Sequence, residues 1–193
     1  METAAQTIPN DQFHKRAAEL GFNASCEALT GQFLCTLAAS KPGSQVLELG
    51  TGVGLGSAHL LAGMNGAARL TTVELDSALS AAAQAELGHD PRIRFVVDDG
   101  AEWLTQNTDR RYDLIFADTW PGKFSELNEA LALLKPGGIY FIDDLLPQAN
   151  WPERHQEKVD DLRRTLEARA DLRCTYMDWA TGLMVCVKLE LGA

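Results

Sequence analysis

The sequence predicts a single doubly wound α/β domain, and three observations carry that prediction. Short apolar, β-rich runs alternate with helical patterns along most of the 193 residues, as in a mostly parallel sheet covered on both faces. One of these runs enters a glycine-rich turn that opens a helix. The chain then closes on two strands joined by a link too short for a crossover, so the last strand runs antiparallel to its partner.

Bulk properties narrow the class. The length suits one domain with one sizeable core. Hydrophobic residues make up 46% and charged residues 23%, ordinary values for a soluble globular protein. No apolar run reaches the length of a bilayer span, and Met1 to Gln12 is polar, without the layout of a signal peptide. A cytoplasmic location with no membrane partner is expected. The net charge of −10 repels phosphate backbones at long range, which disfavours nucleic acid and weakly favours a small-molecule substrate. Cys26, Cys35, Cys174 and Cys186 form no CxxC pair. Their spacing suits neither a zinc site nor a disulfide framework, so they read as buried, reduced thiols.

Residues 1–40 read as a helical cap. Phe13, Ala17 and Leu20 recur at helical spacing before Gly21, and a second helix begins near Ser25, capped by Ser25 or Asn23. Its stripe is Leu29, Phe33, Leu34 and Leu37, and Lys41-Pro42-Gly43 stops it. The α/β core, 45–188, opens with strand Gln45 to Leu49 and the turn Gly50 to Gly56. A helix Ser57 to Met64 follows, then strand Arg69 to Glu74, helix Ser77 to Leu87 and strand Ile93 to Val97. A short helix starts near Ala101, and the fourth strand is Tyr112 to Ala117. After the loop Asp118 to Lys123, a helix to Leu134 buries Leu127, Ala130, Leu131 and Leu134. Pro136-Gly137-Gly138 turns into strand Ile139 to Ile142. A polar loop with Pro147 and Pro152 leads to a charged helix, Glu153 to Ala170, with Val159, Leu162 and Leu166 inward. Strands Leu172 to Met177 and Leu183 to Lys188 end the domain, which spans 1–193.

The most informative segment is Val46-Leu47-Glu48-Leu49-Gly50-Thr51-Gly52-Val53-Gly54-Leu55-Gly56. Glycines permit a tight turn and let a ligand lie against bare backbone, and open α/β sheets bind ligands beyond the carboxyl ends of their strands. A dinucleotide fingerprint, GxGxxG, would place its third glycine at 55, where leucine stands; the pattern is GxGxG at 50, 52 and 54. Two acids sharpen the reading. Glu74 closes the second strand, where a carboxylate can accept from both ribose hydroxyls. Asp99 follows the third, where it can accept from an adenine amine. Each acid alone also fits a cap or a solvated loop, but the set in this order points to an adenosine cofactor.

These residues make the chain resemble the class I S-adenosylmethionine (SAM)-dependent methyltransferases, in particular the small O-methyltransferases of catechol and caffeoyl-CoA type, from about Phe22 to Lys188. Val46 to Ser57 is similar to the family's first motif, Thr72 to Asp76 to the next and Phe95 to Leu104 to its adenine segment. Asp113 to Asp118 and Leu134 to Asp144 are similar to its fourth and fifth strands. The resemblance implies a seven-stranded Rossmann-like sheet of order 3-2-1-4-5-7-6, strand seven antiparallel, with helices on both faces. It implies that Glu48, Gly50, Gly52 and Gly54 line the methionine end of SAM, that Glu74 binds the ribose, and that Asp99 and Gly100 bind the adenine. The related small enzymes are often homodimers, although nothing in this chain demands one.

Methyl transfer requires positioning of the two reactants and removal of the acceptor's proton. Asp118 ends the fourth strand, and Asp143 and Asp144 end the fifth. Neighbouring strands lie about 4.8 Å apart, so these acids would converge, and a hard cation such as Mg²⁺ would relieve their repulsion. The resembling family uses Asp, Asp and Asn as ligands; here Asp144 stands for the asparagine. The other reading leaves Asp118 touching the cofactor and Asp143 capping a loop. Lys123, the expected base together with Asp118, follows that aspartate by five residues instead of the family's three, with Pro121-Gly122 as an apparent insertion. It fits a solvated lysine at a helix start equally well. His155 is a further candidate base or a surface histidine. Trp120, Trp151 and Trp179 fall in loops on the predicted active face, as walls of an aromatic pocket or as packing, and Trp103 fits either the cofactor's surroundings or the core. Rival readings are a dinucleotide-binding oxidoreductase, against which Leu55 and the antiparallel ending argue, and a non-catalytic cofactor-binding protein.

Overall fold

The computed structural model describes residues 10–148 and 151–190. Two helices, α1 (Asn10–Glu19) and α2 (Ala28–Ala39), precede an alternation of β1 (Gln45–Leu49), α3 (Leu55–Gly63), β2 (Arg69–Glu74), α4 (Ser77–Leu87), β3 (Ile93–Val97), α5 (Gly100–Gln106), β4 (Tyr112–Ala117), α6 (Leu127–Ala132) and β5 (Leu134–Ile142). Helix α7 (His155–Glu167) and the hairpin β6 (Leu172–Met177) and β7 (Leu183–Lys188) complete the chain. The seven strands form one sheet in the order β3-β2-β1-β4-β5-β7-β6. β1 to β5 pair in parallel, while β7 is antiparallel to both β5 and β6.

Burial explains the order. β1 and β4 are apolar almost throughout, as strands covered on both faces must be, and they occupy the centre. β3 keeps exposed positions, Val97 among them, and lies at an edge. Two apolar clusters flank the sheet. One joins Leu47, Leu49 and Ile115 to Trp103 and Leu104 of α5, Leu131 of α6 and Val159, Leu162 and Leu166 of α7. The other joins Val46, Phe116 and Phe141 to Phe13 of α1, Leu34 of α2 and Leu60 of α3. Because side chains alternate along a strand, Glu48 shares the face of Val46 and points towards α3.

Four details differ from the sequence reading. Helix α2 starts at Ala28, after an extended Glu27 with no side-chain cap, so neither Ser25 nor Asn23 caps it. Its buried stripe is Thr30, Gly31, Leu34 and Ala38, with Leu29 exposed. Small residues take these positions because the helix packs against α3: the His59 ring lies where a Gly31 side chain would be, and a Gly63 side chain would strike the Cys35 backbone. β5 begins at Leu134, which pairs with Tyr112 before a register shift at Pro136-Gly137-Gly138; the glycine turn is an irregularity within the strand. Finally, Cys174 and Cys186 stand opposite each other on β6 and β7 and are joined as a disulfide. The antiparallel register, absent from any reading of cysteine spacing, brings them together.

Candidate active site

The carboxyl ends of β1, β2, β3, β4 and β5 open onto one crevice with two adjoining cavities. The larger, about 450 Å³, is lined by the segment 22–27, by Glu48, the turn Gly50 to Val53, Leu55, Gly56, Glu74, Asp118, Lys123, Asp143, Asp144, Trp120, Trp151, His155 and Thr181. The smaller, about 360 Å³, is lined by Leu49, Gly50, Glu74, Leu75, Asp99, Gly100, Ala101 and the loop Thr119 to Pro121. Gly50, Glu74, Thr119 and Trp120 belong to both.

Gly50 adopts φ +94°, and a side chain there would come within 2.6 Å of the Asp118 carbonyl oxygen. The bare backbone therefore lets the ends of β1 and β4 meet at the crevice floor. A side chain at Gly52 would come within 2.9 Å of the Phe22 ring, which lies over the turn with the N-terminal segment. Gly54, expected at the ligand, lies outside the cavity lining; a side chain there would meet Ala83 of α4 at 2.9 Å. Its backbone shape, φ +96°, serves helix packing.

Glu48 is fully buried. Its Oε2 accepts hydrogen bonds from the hydroxyls of Ser57 and Thr72, the latter at 2.6 Å, while Oε1 has no partner. Burial lifts this carboxyl to about 7, against those two hydrogen bonds. An unpaired buried oxygen is costly, and a hydrogen-bond donor entering the cavity would relieve it. The Ser25 hydroxyl, also buried and without a partner, lines the same cavity. Glu74 accepts from the backbone N–H of Gly52 at 2.8 Å and of Asp76 at 3.0 Å, which fixes its carboxylate at the junction of the cavities. Asp99 caps α5 by accepting from Ala101 N–H at 2.7 Å and also faces the smaller cavity.

At the other wall, the loop after β4 folds back on itself. Gly122, at φ +88°, packs on Leu49 and Tyr140, and the Tyr140 hydroxyl donates to the Gly122 carbonyl at 2.6 Å. This turn carries Lys123 inward: its ammonium lies 3.3 Å from Asp118 Oδ1 and donates to the Asp143 carbonyl at 2.9 Å. The Lys123 side chain is 5% exposed, so the solvated-lysine reading is set aside. Asp143 Oδ1 accepts from Asp144 N–H at 2.7 Å and from the Thr181 hydroxyl. Asp144 takes a left-handed backbone, φ +59°, and its carboxylate accepts from Gln148 Nε2 at 2.6 Å. Burial raises Asp118 well above the usual carboxylate range, with Lys123 opposing and the charges of Asp143 and Asp144 reinforcing. Burial and the Asp144 charge raise Asp143 to about 6. Among the described residues, no three His, Cys, Asp or Glu side chains are grouped so that they could hold a metal ion. The acids expected to share Mg²⁺ each turn one oxygen elsewhere, Asp118 to Lys123, Asp143 to Thr181 and the Asp144 N–H, and Asp144 to Gln148, and so placed they do not assemble a metal-binding set.

Trp120 and Trp151 wall the larger cavity, whereas Trp179 stacks edge-on with Phe33 outside it and Trp103 packs with Tyr112 in the core. His155 is a crevice residue. Its ring lies 4.4 Å from that of Trp151, 5.1 Å from Phe124 and 5.8 Å from Trp120, and its Nδ1 is buried without a partner. Burial, then the positive charges of Lys123 and Lys158, lower its pKa. Sequence reasoning placed none of Ser25, Cys26, Gln148 and Thr181 in the site, which all four line. Thr181 was within reach: an antiparallel β7 beside β5 forces the β6–β7 link to the carboxyl edge, where Leu145 and Leu146 N–H donate to Gly182 and Thr181.

Sheet order and the glycine turn at the end of β1 together define an α/β domain of methyltransferase type. A family model described as a methyltransferase domain matches residues 47–145, and the chain belongs to that family. A Mycobacterium tuberculosis protein named as an O-methyltransferase is 35% identical over 133 residues, 66% of this chain. The alignment spans 59% of that relative's length. Among solved structures, the chain is similar to an O-methyltransferase of Streptomyces achromogenes in complex with SAM (TM-score 0.80, 21% identity, covering 93% of this chain and 89% of the other). It is also similar to one of Bacillus cereus in complex with SAH (0.83, 17%, 96% and 92%). These two likenesses concern the fold.

Proposed function

We propose that this protein transfers a methyl group from SAM to the hydroxyl of a small, aromatic acceptor. The observation that carries the reading is the continuous crevice: Glu48 with its unpartnered oxygen at one end, Asp99 at the other, and Glu74 lining both cavities. That layout suits a ligand with an ammonium-bearing tail, a ribose and an adenine. The relatives named as O-methyltransferases, and the SAM and SAH held by proteins of the same fold, support the same assignment.

In this reading Glu48 and Ser25 hold the methionine end against the Gly50–Gly52 turn, Glu74 accepts from the ribose hydroxyls, and Asp99 and Gly100 border the adenine. Bound SAM supplies a sulfonium methyl open to in-line attack. The protein's part is to bring the acceptor oxygen into line and manage its proton. Trp120, Trp151 and His155 form the aromatic wall. Asp118 accepts a hydrogen bond from the acceptor hydroxyl, and the Lys123 ammonium offers charge to that oxygen as its proton leaves. His155 Nδ1 is an open proton acceptor in the same cavity. The acidic surface keeps nucleic acid a disfavoured substrate, and the reading takes the described residues as one domain, cap included.

Calorimetry with SAH and, separately, NAD tests the reading. Heat with SAH and none with NAD is expected; heat with NAD alone would overturn it.

A further inference from the structure

The strand-end acids raise a question that their geometry answers. Asp118 and Asp143 directly follow the paired ends of β4 and β5, Ala117 and Ile142, with Asp144 next in line, and carboxylates so placed need a positive charge nearby. We infer that the Lys123 ammonium is the built-in counter-cation of this cluster, standing where a divalent ion would otherwise sit, so that the crevice loads cofactor and acceptor without a divalent metal.

Three observations carry the inference. The ammonium is 3.3 Å from Asp118 Oδ1 and 2.9 Å from the Asp143 carbonyl oxygen, on a side chain almost wholly shielded from solvent. One oxygen of each neighbouring acid is also engaged: Asp143 Oδ1 by Thr181 and the Asp144 N–H, and Asp144 Oδ1 by Gln148. The lysine's position is built in, because Gly122 under Tyr140 and the bonds from Lys123 and Phe124 N–H to the Trp120 carbonyl turn the loop inward. A second cation entering there would meet a like charge at a poorly screened site and would have to displace several hydrogen bonds. The inference rests on the crevice being the cofactor site, so its test reads ion binding directly.

The experiment titrates Mn²⁺ into the SAH-loaded protein and follows the free-ion signal by electron paramagnetic resonance. Wild type should leave that signal undiminished. Lys123→Met should bind Mn²⁺ at least about tenfold more tightly, from loss of the local repulsion, and Lys123→Met combined with Asp118→Asn should lose the gain, placing it at this cluster. Lys123→Arg, which keeps the charge, should behave as wild type. Tight stoichiometric Mn²⁺ binding by wild type would overturn the inference, as would a folded Lys123→Met protein with no gain. If circular dichroism shows Lys123→Met unfolded, the wild-type and Lys123→Arg titrations decide. Failure to bind SAH by calorimetry would instead strike the cofactor reading, whatever the manganese result.

Discussion

Glu48→Gln isolates a strongly shifted carboxyl of the crevice. Glu48 is completely buried, and its carboxyl is lifted from an ordinary 4.5 to about 7, chiefly by burial. The unfolded chain releases this proton near 4.5, while the folded protein keeps it to about 7. The contribution of the neutral carboxyl to stability is therefore fully present below 4.5 and is lost as pH rises through 7. The full shift corresponds to about 3 kcal/mol. Glutamine resembles the neutral acid in shape and carries no such slope. Between about pH 5 and about pH 8.5 the ligand-free wild type should lose about 2.5 kcal/mol relative to Glu48→Gln, the part of the shift falling in that window. In urea unfolding this is a relative midpoint change of about 1 M for a chain of this size. Other titrating groups, Asp143 and Asp118 among them, act in both proteins and cancel in the comparison. A stability difference between the two proteins that stays constant with pH would refute the argument that burial governs this carboxyl.

Glu74→Ala should weaken SAH binding by roughly ten- to a hundredfold, the worth of charge-assisted bonds to two hydroxyls, read by calorimetry; equal affinity would remove Glu74 from the ribose. Tyr140→Phe strips the bond that holds Gly122 and should lower stability by about 1–2 kcal/mol in urea titration, since the buried carbonyl loses its donor. Leu166→Ala, at a fully buried position on α7 among Leu162, Val159 and Leu172, should cost about 2–5 kcal/mol while SAH affinity in the folded protein stays the same. A parallel fall in affinity would show that the α7 core and the crevice are coupled.

The strands were legible because each carried its own signal: β1 and β4 as mostly apolar runs, broken only by Glu48 and Asp113 past their first residue, β6 and β7 as a pair split by Asp178 to Gly182. Glu74 and Asp99 could be placed at the carboxyl edge because Glu74 ends β2 and Asp99 comes directly before α5, two residues after β3. On helix α2, Leu34 is buried and Phe33 and Leu37 pack on the core as read, but Leu29 is exposed and Thr30 and Gly31 are buried instead, since Leu29 outweighs them in hydrophobicity while the space beside His59 admits only small groups. Gly54 shows the same limit, for whether a glycine serves a ligand or a neighbouring helix depends on α4. The fate of Lys123 turned on loop shape. Two extra residues suggested displacement; Gly122 under Tyr140 converts them into a turn that brings the ammonium back to Asp118. His155 begins α7 with no local mark, and its partners Trp120 and Phe124 come from a segment some thirty positions earlier.

A crystal structure of the protein grown with SAH tests the central claim most directly. The account predicts the ribose hydroxyls on Glu74, the adenine beside Asp99 and Gly100, and the amino group against Glu48, with the sulfur facing the Asp118–Lys123 pair. SAH bound elsewhere, or lying in the crevice with Glu74 free of the sugar, would contradict it.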